Sequence, residues 1–128
     1  MNAKELRIGN MISDIDGNIT EVNIDIMQNI IQGGDQYQPV ELCDKCFNKL
    51  GFIQEHLGHY FDDIYDFSVL ASRNNSYIVR WGNQVLAGAE PIRYIHELQN
   101  IFFALKGRDL DVRRFYSDVV NQTKPAFA

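Results

Sequence analysis

Between Pro91 and Gly107 the apolar residues Tyr94, Ile95, Leu98, Ile101, Phe102 and Leu105 recur at steps of three and four, the spacing that places side chains along one face of a helix. Pro91 suits a first helical position, Lys106 the negative helix end and Gly107 a left-handed stop, so the pattern predicts a main amphipathic helix over 91–106. Such a stripe requires a partner surface.

Upstream the period changes to two. Leu6-Arg-Ile-Gly-Asn leads into Met11-Ile-Ser-Asp, Asp16-Gly17 offers a hairpin turn, and Val22-Asn-Ile-Asp-Ile alternates as a half-buried strand does. This opening resembles that of SH3-like barrels. Met27 to Gln38, with Gly33-Gly34-Asp35-Gln36 at its tip, reads as strand continuation or a mobile loop. Pro39-Val-Glu-Leu is extended, and Leu42, Cys46, Phe47 and Leu50 share one side of a short helix over 43–50 that Gly51 stops.

From Phe52 to Gly88 aromatic and β-branched residues alternate with polar ones, as in Tyr65, Phe67 and Val69 and again in Tyr77, Val79 and Trp81, with turns at Asn74-Asn75 and Gly82-Asn83. The expected architecture is α+β: an antiparallel, partly SH3-like curled sheet or meander, with the main helix packed across one face of it. After Gly107 the apolar residues Leu110, Val112, Phe115, Tyr116, Val119 and Val120 fit a helix as well as a strand followed by a turn. Residues 122–128 are expected to be a loose tail. No repeat or linker divides the chain, so one domain over 1–128 is expected.

Charge changes the functional picture more than the structural one. The 128 residues carry a formal net charge of −5, which repels polyanions and disfavours bulk nucleic-acid binding. Arg108, Arg113 and Arg114 are interleaved with Asp109, Asp111 and Asp118, a mixed-charge face. The N-terminal stretch lacks the apolar core of a signal peptide and no run is long enough to cross a bilayer, so the expected location is cytoplasmic.

Cys43-x2-Cys46-x9-His56-x2-His59 has zinc-ligand types in the order of a zinc finger, but its central gap and His spacing are shorter than the usual pattern. The alternative makes Cys46 a small core residue and both histidines surface groups. Asp62, Asp63 and Asp66, with Glu55, match no calcium loop and read as a negative hairpin tip. No nucleophile motif or glycine-rich phosphate loop is present, so neither an enzymatic activity nor a cofactor is expected. Tyr77, Arg80 and Trp81 would supply a stacking plane and a phosphate contact for a nucleotide ligand. On the main helix His96, Gln99, Asn100 and Phe103, with Ile92, lie beside the core stripe. They form either a partner-binding surface or a face on which Phe115 or Tyr116 covers Phe103.

Three segments taken in order, Leu6-Arg-Ile-Gly-Asn, Pro39-Val-Glu-Leu with its short helix ending Leu50-Gly-Phe, and Tyr94-Ile-His-Glu-Leu-Gln-Asn-Ile-Phe-Phe-Ala-Leu-Lys-Gly, resemble a family of small uncharacterised proteins of gut bacteria and their phages and prophages. In that family the positions of Cys43 and Cys46 are usually not cysteine. The resemblance implies a phage-associated accessory protein that antagonises a host or anti-phage defence protein. The residues by themselves favour a non-enzymatic binding protein, with a nucleotide-sequestering protein and a zinc-binding protein as alternatives.

Overall fold

The computed structural model describes residues 2–34, 36–82, 84–85 and 91–115. In chain order its elements are a 3-10 turn at Ala3–Glu5, strands β1 (Met11–Ser13) and β2 (Ile19–Glu21), helix α1 (Ile24–Ile31), strand β3 (Gln38–Pro39) and helix α2 (Asp44–Lys49). Strands β4 (Ile53–His56), β5 (His59–Phe61), β6 (Phe67–Ala71), β7 (Tyr77–Trp81) and β8 (Gln84–Val85) follow, and then helix α3 (Ile95–Lys106). The fold is α+β with two antiparallel sheets, ordered β2-β1-β3 and β4-β5-β6-β7-β8. The described residues form two compact units: those up to Glu41 with Tyr94–Asp109, and those of Leu42–Arg93 with residues 110–115.

In the first unit the expected hairpin forms. The Asp14 carboxylate accepts the N–H groups of Asp16 and Asn18 at 2.9 Å each, and Gly17 supplies the positive φ of the turn. The strand expected at Val22–Ile26 does not extend past Glu21. Asn23 instead accepts the Ile26 N–H at 2.8 Å and caps α1, satisfying a donor that the first helical turn leaves open. The alternation of Val22, Ile24 and Ile26 misleads because Ile24 and Ile31 lie on the outer side of α1, each 67% exposed, while Ile26, Met27 and Ile30 pack on Ile12 and Val22. The Met27–Gln38 stretch is therefore helical over its first part, and the loop tip at Asp35 lies outside the described residues.

Helix α3 begins at Ile95, four residues later than Pro91 as a first helical residue suggests. Ile92 is held as an extended residue by two 2.8 Å bonds with Tyr77, and Glu97 reaches back to the Tyr94 N–H at 3.1 Å to fix the start. Gly107 ends it at φ 70° with its N–H on the Phe103 carbonyl. Ile95, Leu98 and Phe102 are buried, and the strand on which α3 packs within its own unit is β1 of the small sheet, where the sequence pattern pointed to the meander.

The second unit is the meander itself. Phe47 of α2 stacks on Tyr60 at a centroid distance of 4.4 Å and meets Tyr77 edge-on at 4.9 Å, while Phe52 meets Phe67 edge-on. These rings supply a large apolar area with geometric preference. Leu42 N–H bonds to Arg93 O at 2.8 Å and pairs the two ends of the Leu42–Arg93 stretch. Tyr65, expected in a strand, stands in a turn with φ 61°; the buried Asp62 carboxylate accepts the Phe67 N–H and tightens the β5–β6 connection instead. Asn74 and Asn75 take the left-handed backbone expected of turn residues. At the chain's far end Phe115 N–H bonds to Val112 O, and Phe115 is buried with the Lys49 ammonium 5.5 Å from its ring centroid. Tyr116, Val119, Val120 and the tail at 122–128 lie outside the described residues.

Replacing Asn23 by Ala removes the α1 cap, and urea denaturation is expected to show a loss of about 1 kcal/mol. An unchanged midpoint would mean that α1 holds its start without that side chain.

Candidate functional site

Within the first unit the face of α3 beside its apolar stripe is occupied by an amide cluster. Gln99 is 4% exposed. Its Oε1 accepts the Met11 backbone N–H at 2.8 Å and the Asn10 Nδ2 at 3.4 Å, and its Nε2 donates to Gly9 O at 3.3 Å. Asn100 Oδ1 accepts from Asn10 Nδ2 at 2.9 Å and from Arg7 Nε at 3.2 Å, while Asn100 Nδ2 donates to Glu5 O. Asn10 is fully buried and accepts the Arg7 N–H at 2.6 Å.

The Met11 N–H is bonded by Gln99 one residue before the register of β1 with β3 begins at Ile12 and Pro39. A buried backbone donor without a partner costs on the order of 1–3 kcal/mol. Gln99 fills that need from the helix. It is therefore bound up inside the unit, which corrects its expected role in partner binding.

His96 is also inside, 2% exposed. Neither ring nitrogen has a hydrogen-bond partner among the described residues, and burial holds the imidazole below its usual pKa, opposed by Glu97 and Glu5. An aromatic base packed in this way contributes apolar area and remains neutral. Its expected place on a partner surface is likewise corrected, because the buried arc of α3 is wider than the apolar stripe and takes in Ile95, His96, Leu98, Gln99 and Phe102.

Phe103 remains at the surface, 41% exposed. The Arg7 guanidinium lies 4.4 Å from its ring centroid, and Arg7 Nη1 is held at 3.0 Å by the Asp109 carboxylate. The half-buried Asn100 anchors the same Arg7. An aromatic ring with a guanidinium stacked on it and fixed by a carboxylate has the composition of an interface anchor. Arg7 was not singled out in the sequence and Asp109 was read only as part of a mixed-charge face; the available signal was Arg7 inside the Leu6–Asn10 segment, whose role depends on a helix about 90 residues away.

The other candidates separate. On β7 successive side chains alternate faces, so Tyr77 and the partly exposed Trp81 lie on one face and Arg80 on the other. Tyr77 is buried and donates its hydroxyl to Asp44 at 3.1 Å, so the expected stacking plane and phosphate contact do not face one ligand. His56 and His59 pair across the β4–β5 turn, while Cys43 just before α2 and Cys46 in its first turn have their sulfurs 2.7 Å apart. Among the described residues no three His, Cys, Asp or Glu side chains come together as metal ligands, and the four expected zinc ligands remain two separate pairs. The Asp62, Asp63 and Asp66 group is divided by the burial of Asp62 in its turn.

Comparison with known proteins supplies no analogue. The chain matches no protein-family model, no curated protein and no solved structure. Arg7, Asn100, Phe103 and Asp109 combine at least partial exposure with fixed geometry.

Two outcomes follow from the buried face. Replacing Gln99 by Leu leaves the Met11 N–H unpaired, and a loss of about 1–3 kcal/mol is expected in chemical denaturation; a loss within experimental error would show that β1 does not depend on it. His96 gives a pH signature. Its folded-state pKa lies below the unfolded value of about 6.5, so below that pH the unfolded chain takes up a proton that the folded chain refuses, and stability falls as pH drops through about 6.5. His59, lowered by burial and then by Arg80, adds in the same direction. The Asp111 carboxyl, held at about 2 chiefly by its hydrogen bond with Arg113, titrates below this window. In urea titrations at about pH 7.5 and 5.5, His96→Leu is expected to lose less stability than the wild type, whereas parallel losses would remove His96 as the source.

Proposed function

We propose that the protein is a non-enzymatic binding module that occupies a host or anti-phage defence protein, with Phe103 and Arg7 at the centre of the contact. The observation that carries this reading is the exposed Phe103 ring clamped under the Arg7 guanidinium. Arg7 is pre-organised by Asp109 and Asn100, so little side-chain freedom is lost when a partner covers it. The formal net charge of −5 favours encounter with a basic protein surface. Asn100 lies at the margin of this contact, while His96 and Gln99 support it from within the unit.

Affinity capture from a bacterial host lysate tests the reading with three baits. Wild type is expected to retain a discrete partner, Phe103→Ala about tenfold less of it, corresponding to about 1.4 kcal/mol, and Leu57→Ala an unchanged amount, since Leu57 is an exposed apolar residue of the other unit. Equal capture by wild type and Phe103→Ala, or no partner for the wild type, would overturn it.

A further inference from the structure

The second unit holds a pair of thiols that the binding reading does not use. Cys43 is the extended residue immediately before α2 and Cys46 lies in its first turn. Their sulfurs are 2.7 Å apart, and a contraction of about 0.7 Å reaches the disulfide bond length of about 2.05 Å. The two are unequal in access: Cys43 is exposed, whereas Cys46 is buried in the run that also buries Phe47 and Leu50. The Cys43 side chain makes no capping bond to the helix backbone.

We infer that Cys43 and Cys46 form a redox-active dithiol that exchanges with small disulfides, Cys43 as the attacking sulfur and Cys46 as the resolving one. The chemistry is thiol–disulfide exchange. Cys43 gives its proton to solvent and its sulfur attacks one sulfur of glutathione disulfide; the Cys43–glutathione bond forms, the glutathione S–S bond breaks, and one glutathione leaves as a thiolate that takes up a proton. Cys46 then loses its proton and attacks the Cys43 sulfur; the intramolecular disulfide forms and the second glutathione leaves and is protonated. Two protein thiols are oxidised, one glutathione disulfide is reduced to two glutathiones, and protons and electrons balance.

The order of attack follows from the surroundings. Burial, with the bond to Cys43, pushes the Cys46 thiol up to about 12, so it stays protonated and is a poor first nucleophile. Its reaction becomes favourable only when Cys43 presents a mixed disulfide in contact with it, an intramolecular step.

The test equilibrates the full-length protein in glutathione redox buffers of increasing glutathione disulfide content, followed by acid quench, alkylation and intact-mass measurement. The wild type is expected to pass directly from two alkylated thiols to none, with the loss of two hydrogens. Cys46→Ser is expected to stop with one glutathione attached at position 43, and Cys43→Ser to remain unmodified at Cys46 over the time in which the wild type reacts. The folded wild type is expected to form the disulfide at a glutathione disulfide level at least about tenfold lower than the same chain in urea. Accumulation of mixed disulfide on the wild type, equal reactivity of the two single variants, or equal oxidation of folded and urea-unfolded protein would each overturn the proposal.

Discussion

The unit that carries the main helix depends on one hydrogen bond that a helix rarely supplies to a strand: the Gln99 side chain accepting the backbone N–H of Met11. A helix face that packs on a sheet is normally apolar, and an amide placed there carries a desolvation cost unless every polar atom is paired. Here Gln99, Asn100 and Asn10 satisfy one another and the backbone of Gly9, Met11 and Glu5. The helix is thereby fixed in register on β1, because sliding by one residue would strand several buried donors and acceptors at once. The apolar contacts of Ile95, Leu98 and Phe102 supply area but no comparable register.

The same cluster explains why Arg7 and Phe103 meet. Asn100 faces inward to Asn10 and outward to Arg7, so the polar network that sets the register also aims the guanidinium across the one strongly exposed aromatic ring of α3. Interior order and surface geometry are one structure in this unit. Other parts of the unit reach α3 in the same way, Leu6–Asn10 through the amides and Val40 through its carbonyl on the Ile95 N–H at 2.9 Å.

The second unit is organised differently. Phe47 contacts Phe52, Tyr60 and Tyr77, and this ring cluster needs no buried amide register because the strand ladders of the meander fix their own pairing. Near the start of α2 Tyr77 donates to Asp44 and the sulfurs of Cys43 and Cys46 touch, while Asp62, Ser68 and Ser76 are buried along the meander.

Local pattern by itself determined the α+β class, the Asp16-Gly17 hairpin, the short helix ahead of Gly51, the meander with its Asn74-Asn75 turn and the body of α3, because each depends on side-chain period or on a backbone angle that few residues tolerate. It misread Val22–Ile31, where alternation and helical spacing coincide and the Asn23 cap decides between them, and it placed His96 and Gln99 on a line beside the apolar stripe rather than within the buried arc. Only the tertiary structure could bury them. Whether a polar side chain on a helix faces solvent or serves an orphaned donor is set by the backbone it meets about 90 residues away, and neither composition nor spacing encodes that encounter.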